Sequence, residues 1–123
     1  MHHIFIKTHF SAGHHLRNYP GNCEKPHGHN WKVEVTVKAD ELDELGMGID
    51  FRDLKTATNQ VLETLDHRDL NEHPDFMEIN PSSENIAVYI FRKLQDLLDS
   101  DRCSVHSITV RETDNSGTTY FGE

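Results

Sequence analysis

The 123-residue chain has little of several things, and each shortage excludes something. Two cysteines do not make a disulfide framework, so a reducing compartment is the expected setting. Four prolines and seven glycines form no biased tract, which argues against collagen, linkers and wholesale disorder. No apolar run approaches the roughly 18 residues of a membrane span. The first residues lack the basic region and apolar stretch of a secretory leader. Positive charge is also scarce: 12 Lys+Arg stand against 21 Asp+Glu, a formal net charge of −9. Such a balance disfavours wrapping a nucleic-acid backbone. A cytoplasmic protein of one domain, spanning residues 1–123, is expected.

Histidine is what the chain has in excess. There are ten, seven of them within the first 29 residues. Histidine is the commonest metal-binding side chain. His2 and His3 are assigned no role.

Periodicity organises the chain. Residues 1–10 alternate, with Ile4, Ile6, Thr8 and Phe10 on one face, and predict a strand. Residues 11–26 carry Gly13, Asn18, Pro20, Gly21, Asn22 and Pro26 and predict a loop. Trp31, Val33, Val35, Val37 and Ala39 alternate with polar residues in a second strand over 30–39. Asp50 is a helix N-cap ahead of an apolar stripe from Phe51 to Leu65. Residues 66–81 predict a loop. Pro81, Ser82 and Ser83 open a second helix whose stripe runs from Ile86 to Leu98. Strands at 105–112 and 118–121, joined by Asp114-Asn115-Ser116-Gly117, complete the order β-β-α-α-β-β. The expected fold is α+β: a four-stranded antiparallel sheet with two helices on one face, its other face covered by oligomerisation.

His27-Gly28-His29 enters the second strand. Residues i and i+2 of an extended chain share a face, so both imidazoles reach one ion. His14 or His15, in the preceding loop, supplies a third. Three histidines with an open fourth position are the pattern of a catalytic zinc. Cys23 is polar-flanked. It reads either as a fourth, closing ligand or as a thiolate base beside the cation. Asp66-His67 is a candidate acid/base pair, because a carboxylate can orient an imidazole and raise its pKa. Glu112 shares a strand face with Ile108 and Val110, where a carboxylate needs a partner. Cys103 is assigned no role.

Five segments together resemble a known family: Phe10-Ser11-Ala12-Gly13-His14-His15-Leu16, Cys23 through Trp31, Leu65 through Asn71, Pro81 through Asn85, and Arg111-Glu112-Thr113. In this order they are similar to the 6-pyruvoyltetrahydropterin synthase / 6-carboxytetrahydropterin synthase family. The three-residue gap between Cys23 and His27 resembles the carboxy-type enzymes of the bacterial queuosine pathway. Gly13 stands where the family often has Ala or Ser, and Ser82-Ser83 where Thr is frequent. Neither departure removes a group the chemistry needs.

The resemblance implies the tunnelling fold, with sheets joined into a barrel in a hexamer built as a dimer of trimers. It implies Zn2+ held by His14, His27 and His29, and Cys23 as the proton-abstracting thiolate. Asp66 and His67 would form the acid/base pair, often serving a neighbouring subunit's site. Glu112 would anchor the pterin, beside Ser82, Ser83 and Glu84. The implied substrate is 7,8-dihydroneopterin triphosphate, whose side-chain bond is cleaved in the carboxy-type reaction. The pyruvoyl-type reaction eliminates triphosphate without that cleavage. A net charge of −9 opposes a triphosphate, so a local basic patch is expected, with Arg17 and Lys25 as its candidates.

Overall fold

The computed structural model describes residues 1–18 and 25–123. Its long strands are β1 (His2–His14), β2 (His27–Ala39), β4 (Cys103–Thr113) and β5 (Ser116–Tyr120), with a two-residue β3 (Arg68–Asp69). Helix α1 (Phe51–Leu62) lies between β2 and β3, and α2 (Ser83–Leu98) between β3 and β4. The sheet has five strands in the order β3-β1-β2-β4-β5, not the four expected. The four long strands pair antiparallel as expected. The addition, β3, pairs parallel to β1 through Ala12↔Arg68 and Gly13↔Asp69. A two-residue strand carries no period for a sequence reading to detect.

Both helices start where side chains satisfy the free N–H groups of the first turn. Asp50 Oδ1 accepts from the Arg52 N–H at 2.8 Å, and Ser82 Oγ from the Asn85 N–H at 3.2 Å. Helix α1 ends at Leu62, short of the expected Leu65. Leu65 is nevertheless fully buried, carried by the turn after the helix.

The apolar faces close on one another. Leu54 and Val61 of α1 and Ile86, Ile90 and Leu94 of α2 cover Trp31, Val33, Val35, Ile108 and Val110 of the sheet. Each such aliphatic side chain contributes about 1.5–3 kcal/mol by leaving water. A charge placed at Val35, which is fully buried, would break this layer.

The hairpin β1–β2 carries the histidine-rich end of the sheet. Its register runs unbroken from His2↔Ala39 to His14↔His27. Strand β1 therefore does not stop at Phe10, and β2 starts at His27 rather than 30. The reason is a side-by-side glycine pair, Gly13↔Gly28, which continues the ladder through residues that read as loop signals.

Candidate metal centre and adjoining pocket

The extended hairpin places its histidines by parity. Even positions of β1 from Ile4 to His14 and odd positions of β2 from His27 to Ala39 share the helix-covered face. His14, His27 and His29 meet at its end, with one ligand nitrogen from each lying within 4.8 Å of the others. His14 is thus a strand residue, not a loop residue. His15 points elsewhere: its backbone exchanges hydrogen bonds with the Asn71 amide at 2.9 and 3.1 Å.

Two of the rings are held by carbonyl oxygens. His14 Nδ1 lies 2.7 Å from the Pro81 carbonyl, and His27 Nδ1 2.8 Å from that of Lys25. A carbonyl only accepts, so both Nδ1 atoms carry a proton, and a neutral ring held this way turns its Nε2 lone pair toward a ligand. The Nε2 atoms of His14 and His29 are buried without a hydrogen-bond partner. Burial pushes the His14 and His29 imidazoles below their ordinary pKa, keeping them neutral. Trp31 walls the inner side, edge-on to His14 at 4.8 Å and to His29 at 5.2 Å. Neutral, oriented imidazoles with orphaned buried nitrogens fit a divalent transition metal.

Glu112 stands at the rim. Its Oε1 is 3.4 Å from His14 Nε2, and its side chain is 35% exposed. It lines a cavity of about 350 Å³ with Leu16, Ser82, Ser83, Glu84 and Thr118. The four residues expected to bind substrate thus share one pocket beside the histidines. Ser83 Oγ lies 2.8 Å from both Glu84 Oε1 and Thr118 Oγ1. That hydroxyl holds the Glu84 carboxyl below its ordinary pKa. Thr118 went unnoticed in the sequence because a hydroxyl on an edge strand has no signature.

Asp66 and His67 do touch, with His67 Nδ1 2.9 Å from Asp66 Oδ2. They are clipped to the β1 edge. The Ser11 N–H donates to Asp66 Oδ1 at 2.9 Å, and the His67 N–H to the Ser11 carbonyl at 2.6 Å. The Ser11 N–H, above all, holds the Asp66 carboxyl below the usual carboxylate range. His67 adopts φ +56°, a left-handed conformation few non-glycine residues take. Its side chain is 80% exposed and lines an open cavity with Gly13, Gly28 and Asn30. Among the described residues no hydrogen bond or ion pair joins this dyad to the three histidines.

Cys23 lies outside the described residues. Two of the five N–H donors of the Arg17 guanidinium are taken by backbone: Nη1 donates to the Ile79 carbonyl at 3.0 Å and Nη2 to that of Asn71 at 3.1 Å. Lys25 is exposed, and its backbone serves His27.

A helix-backed sheet bearing three histidines that could hold a metal, beside a carboxylate-rimmed pocket, defines a protein of the α+β class. Residues 3–123 match the family described as 6-pyruvoyl tetrahydropterin synthase. A relative from Archaeoglobus fulgidus, provisionally described as a 6-carboxy-5,6,7,8-tetrahydropterin synthase, is 46% identical over 95 residues, 76% of each chain. The human 6-pyruvoyl tetrahydrobiopterin synthase is 37% identical over 107 residues, 84% of this chain and 72% of its own. The solved structure of the Caenorhabditis elegans 6-pyruvoyl tetrahydropterin synthase superposes with a TM-score of 0.88 at 30% identity, covering 98% of this chain and 95% of that one. The chain belongs to the 6-pyruvoyl tetrahydropterin synthase family, and its fold is the tunnelling fold of that family.

Proposed function

We propose that the protein is a zinc-dependent 6-carboxy-5,6,7,8-tetrahydropterin synthase acting in queuosine (7-deazaguanine) biosynthesis. With one water consumed, it converts 7,8-dihydroneopterin triphosphate to 6-carboxytetrahydropterin, acetaldehyde and triphosphate. The observation that carries this reading is the meeting of two orphaned, buried histidine nitrogens with a carboxylate-rimmed pocket. The three-residue gap from Cys23 to His27 and the likeness to the archaeal relative favour the carboxy-type product over the pyruvoyl type.

His14, His27 and His29 would hold the zinc, which when bound supplies a Lewis acid that acidifies neighbouring C–H and O–H groups. Glu112 accepts the paired N–H donors on one edge of the pterin ring. Ser82, Ser83 and Glu84 line the ring's pocket. Cys23, as thiolate, takes the side-chain proton. His67 carries a proton at the second position, with Asp66 accepting from Nδ1 and leaving Nε2 to face the substrate. The exposed dyad sits at the sheet edge, which supports service to a neighbouring subunit's site in a homohexamer. A cytoplasmic location is proposed from the scarcity of cysteine; among the described residues no helix is long and apolar enough to cross a membrane.

The test is product analysis on zinc-loaded protein with dihydroneopterin triphosphate. Acetaldehyde release supports the carboxy type. Triphosphate elimination without acetaldehyde assigns the pyruvoyl type. Zinc retention with no turnover assigns a non-catalytic zinc module in which Cys23 closes the shell.

A further inference from the structure

The segment that leaves β1 is tied to the segment that enters α2 by a set of hydrogen bonds centred on Arg17. Its guanidinium donates to two carbonyls, Ile79 and Asn71. Its backbone N–H donates to Asn80 Oδ1 at 2.9 Å, and Asn80 Nδ2 donates back to the Arg17 carbonyl at 3.3 Å. The Asn80 carbonyl in turn accepts from Asn85 Nδ2 at 2.8 Å, in the first turn of α2. The next residue is Pro81, whose carbonyl accepts from His14 Nδ1. Beyond it come Ser82, Ser83 and Glu84 of the pocket. One arginine thus fixes a short stretch that bears both the partner of a metal-ligand candidate and the wall of the adjoining pocket.

We propose that Arg17 is a positioning residue for the metal centre: it holds the 79–81 backbone where the Pro81 carbonyl orients His14. This rests on His14 being a metal ligand. Partners that orient a ligating histidine commonly change metal affinity 10- to 100-fold when lost. Only a planar fork bridges two fixed carbonyls; an ammonium at this position acts as a point charge and serves one. Two of the five Arg17 N–H donors are committed to this role, the competing reading being the triphosphate contact suggested by its charge.

The experiment measures zinc affinity by competition with a chromophoric chelator, and inorganic triphosphate binding, on the whole chain. Variants are Arg17→Ala, Arg17→Lys and His14→Ala. Arg17→Ala is expected to weaken zinc binding about 10- to 100-fold. Arg17→Lys should recover only part of that loss, and triphosphate binding should be unchanged. Parental zinc affinity in Arg17→Ala, with zinc lost in His14→Ala, overturns the positioning role and leaves the ligand set standing. Parental zinc affinity in His14→Ala overturns the ligand set itself. Weakened triphosphate binding with unchanged zinc assigns Arg17 to the phosphate and overturns the proposal, as does a lower melting temperature alone. Should Arg17→Ala not fold, Asn80→Ala cuts the other arm of the same clamp and is read by the same criteria.

Discussion

The two ends of one sheet both gather histidines, and among the described residues only one end brings three ligand nitrogens within reach of one ion. At the end of β1, the rings of His14, His27 and His29 stand at 64°, 67° and 90° to one another. At the start of β1, His3 stacks on His106 with centroids 4.1 Å apart and planes only 28° apart. An imidazole lone pair lies in the plane of its ring. Steeply crossed planes let lone pairs converge on a point, whereas near-parallel stacked planes keep them apart. In the first group His14 is buried and His27 and His29 are half-buried, with His14 and His27 held by carbonyls. The second is more exposed, and His106 is the extra residue of a β-bulge opposite Thr36 and Val37. Histidine count therefore says little, and so does an orphaned nitrogen, since His15 Nδ1 is also buried without a partner; crossed planes and converging ligand nitrogens mark the trio.

The largest effect should come from deleting ligands at the crossed end. Replacing His27 and His29 by Ala together should abolish zinc retention and turnover, while His3→Ala leaves zinc content unchanged. Metal analysis of both variants decides; full zinc in the double replacement would falsify the ligand assignment. Next, Cys23→Ala should keep zinc but slow turnover by about 10²- to 10⁴-fold, the scale of a lost proton-transfer group. A closed structural site predicts the reverse, zinc loss with destabilisation. Third, Glu112→Gln should weaken pterin binding about 10- to 100-fold, equivalent to about 1–3 kcal/mol. Zinc content and melting temperature should hold, whereas a purely structural Glu112 would show normal binding and early melting.

The smallest effect belongs to the stacked end. Desolvation, then the charges of His3 and Lys38, hold the His106 pKa below its ordinary value. The unfolded chain then binds the extra proton more readily, so stability falls as pH drops below the ordinary histidine value near 6.5. His106→Gln should make the melting temperature less sensitive to acidification from neutral pH. An unchanged slope would show that the stack carries no such linkage.

Much of this was legible in residue pattern. The alternation of Trp31 to Ala39, the Asp50 cap and the stripe of α2 follow from period and N-cap chemistry, and the structure reproduces them; within the Pro81-Ser82-Ser83 opening it makes Ser82 the N-cap. The His27-Gly28-His29 spacing implied a shared face, and the face is there. What was illegible depends on partners distant in sequence. Gly13 reads as a break until Gly28 lies beside it. The carbonyls of Pro81 and Lys25 are backbone atoms, which every residue possesses, so nothing marks them as ring anchors. Arg17 reads as a surface cation because its acceptors lie more than fifty positions away.

The unbroken β1–β2 register has a consequence for how the chain folds. Side chains alternate with period two, so a slip of one residue would turn His14 away from His27 and His29 and move Phe10 out of the core in the same step. A hairpin slipped by one residue therefore has no ligand trio to offer. If an ion binds the trio, its capture would favour the native alignment over that slip by mass action.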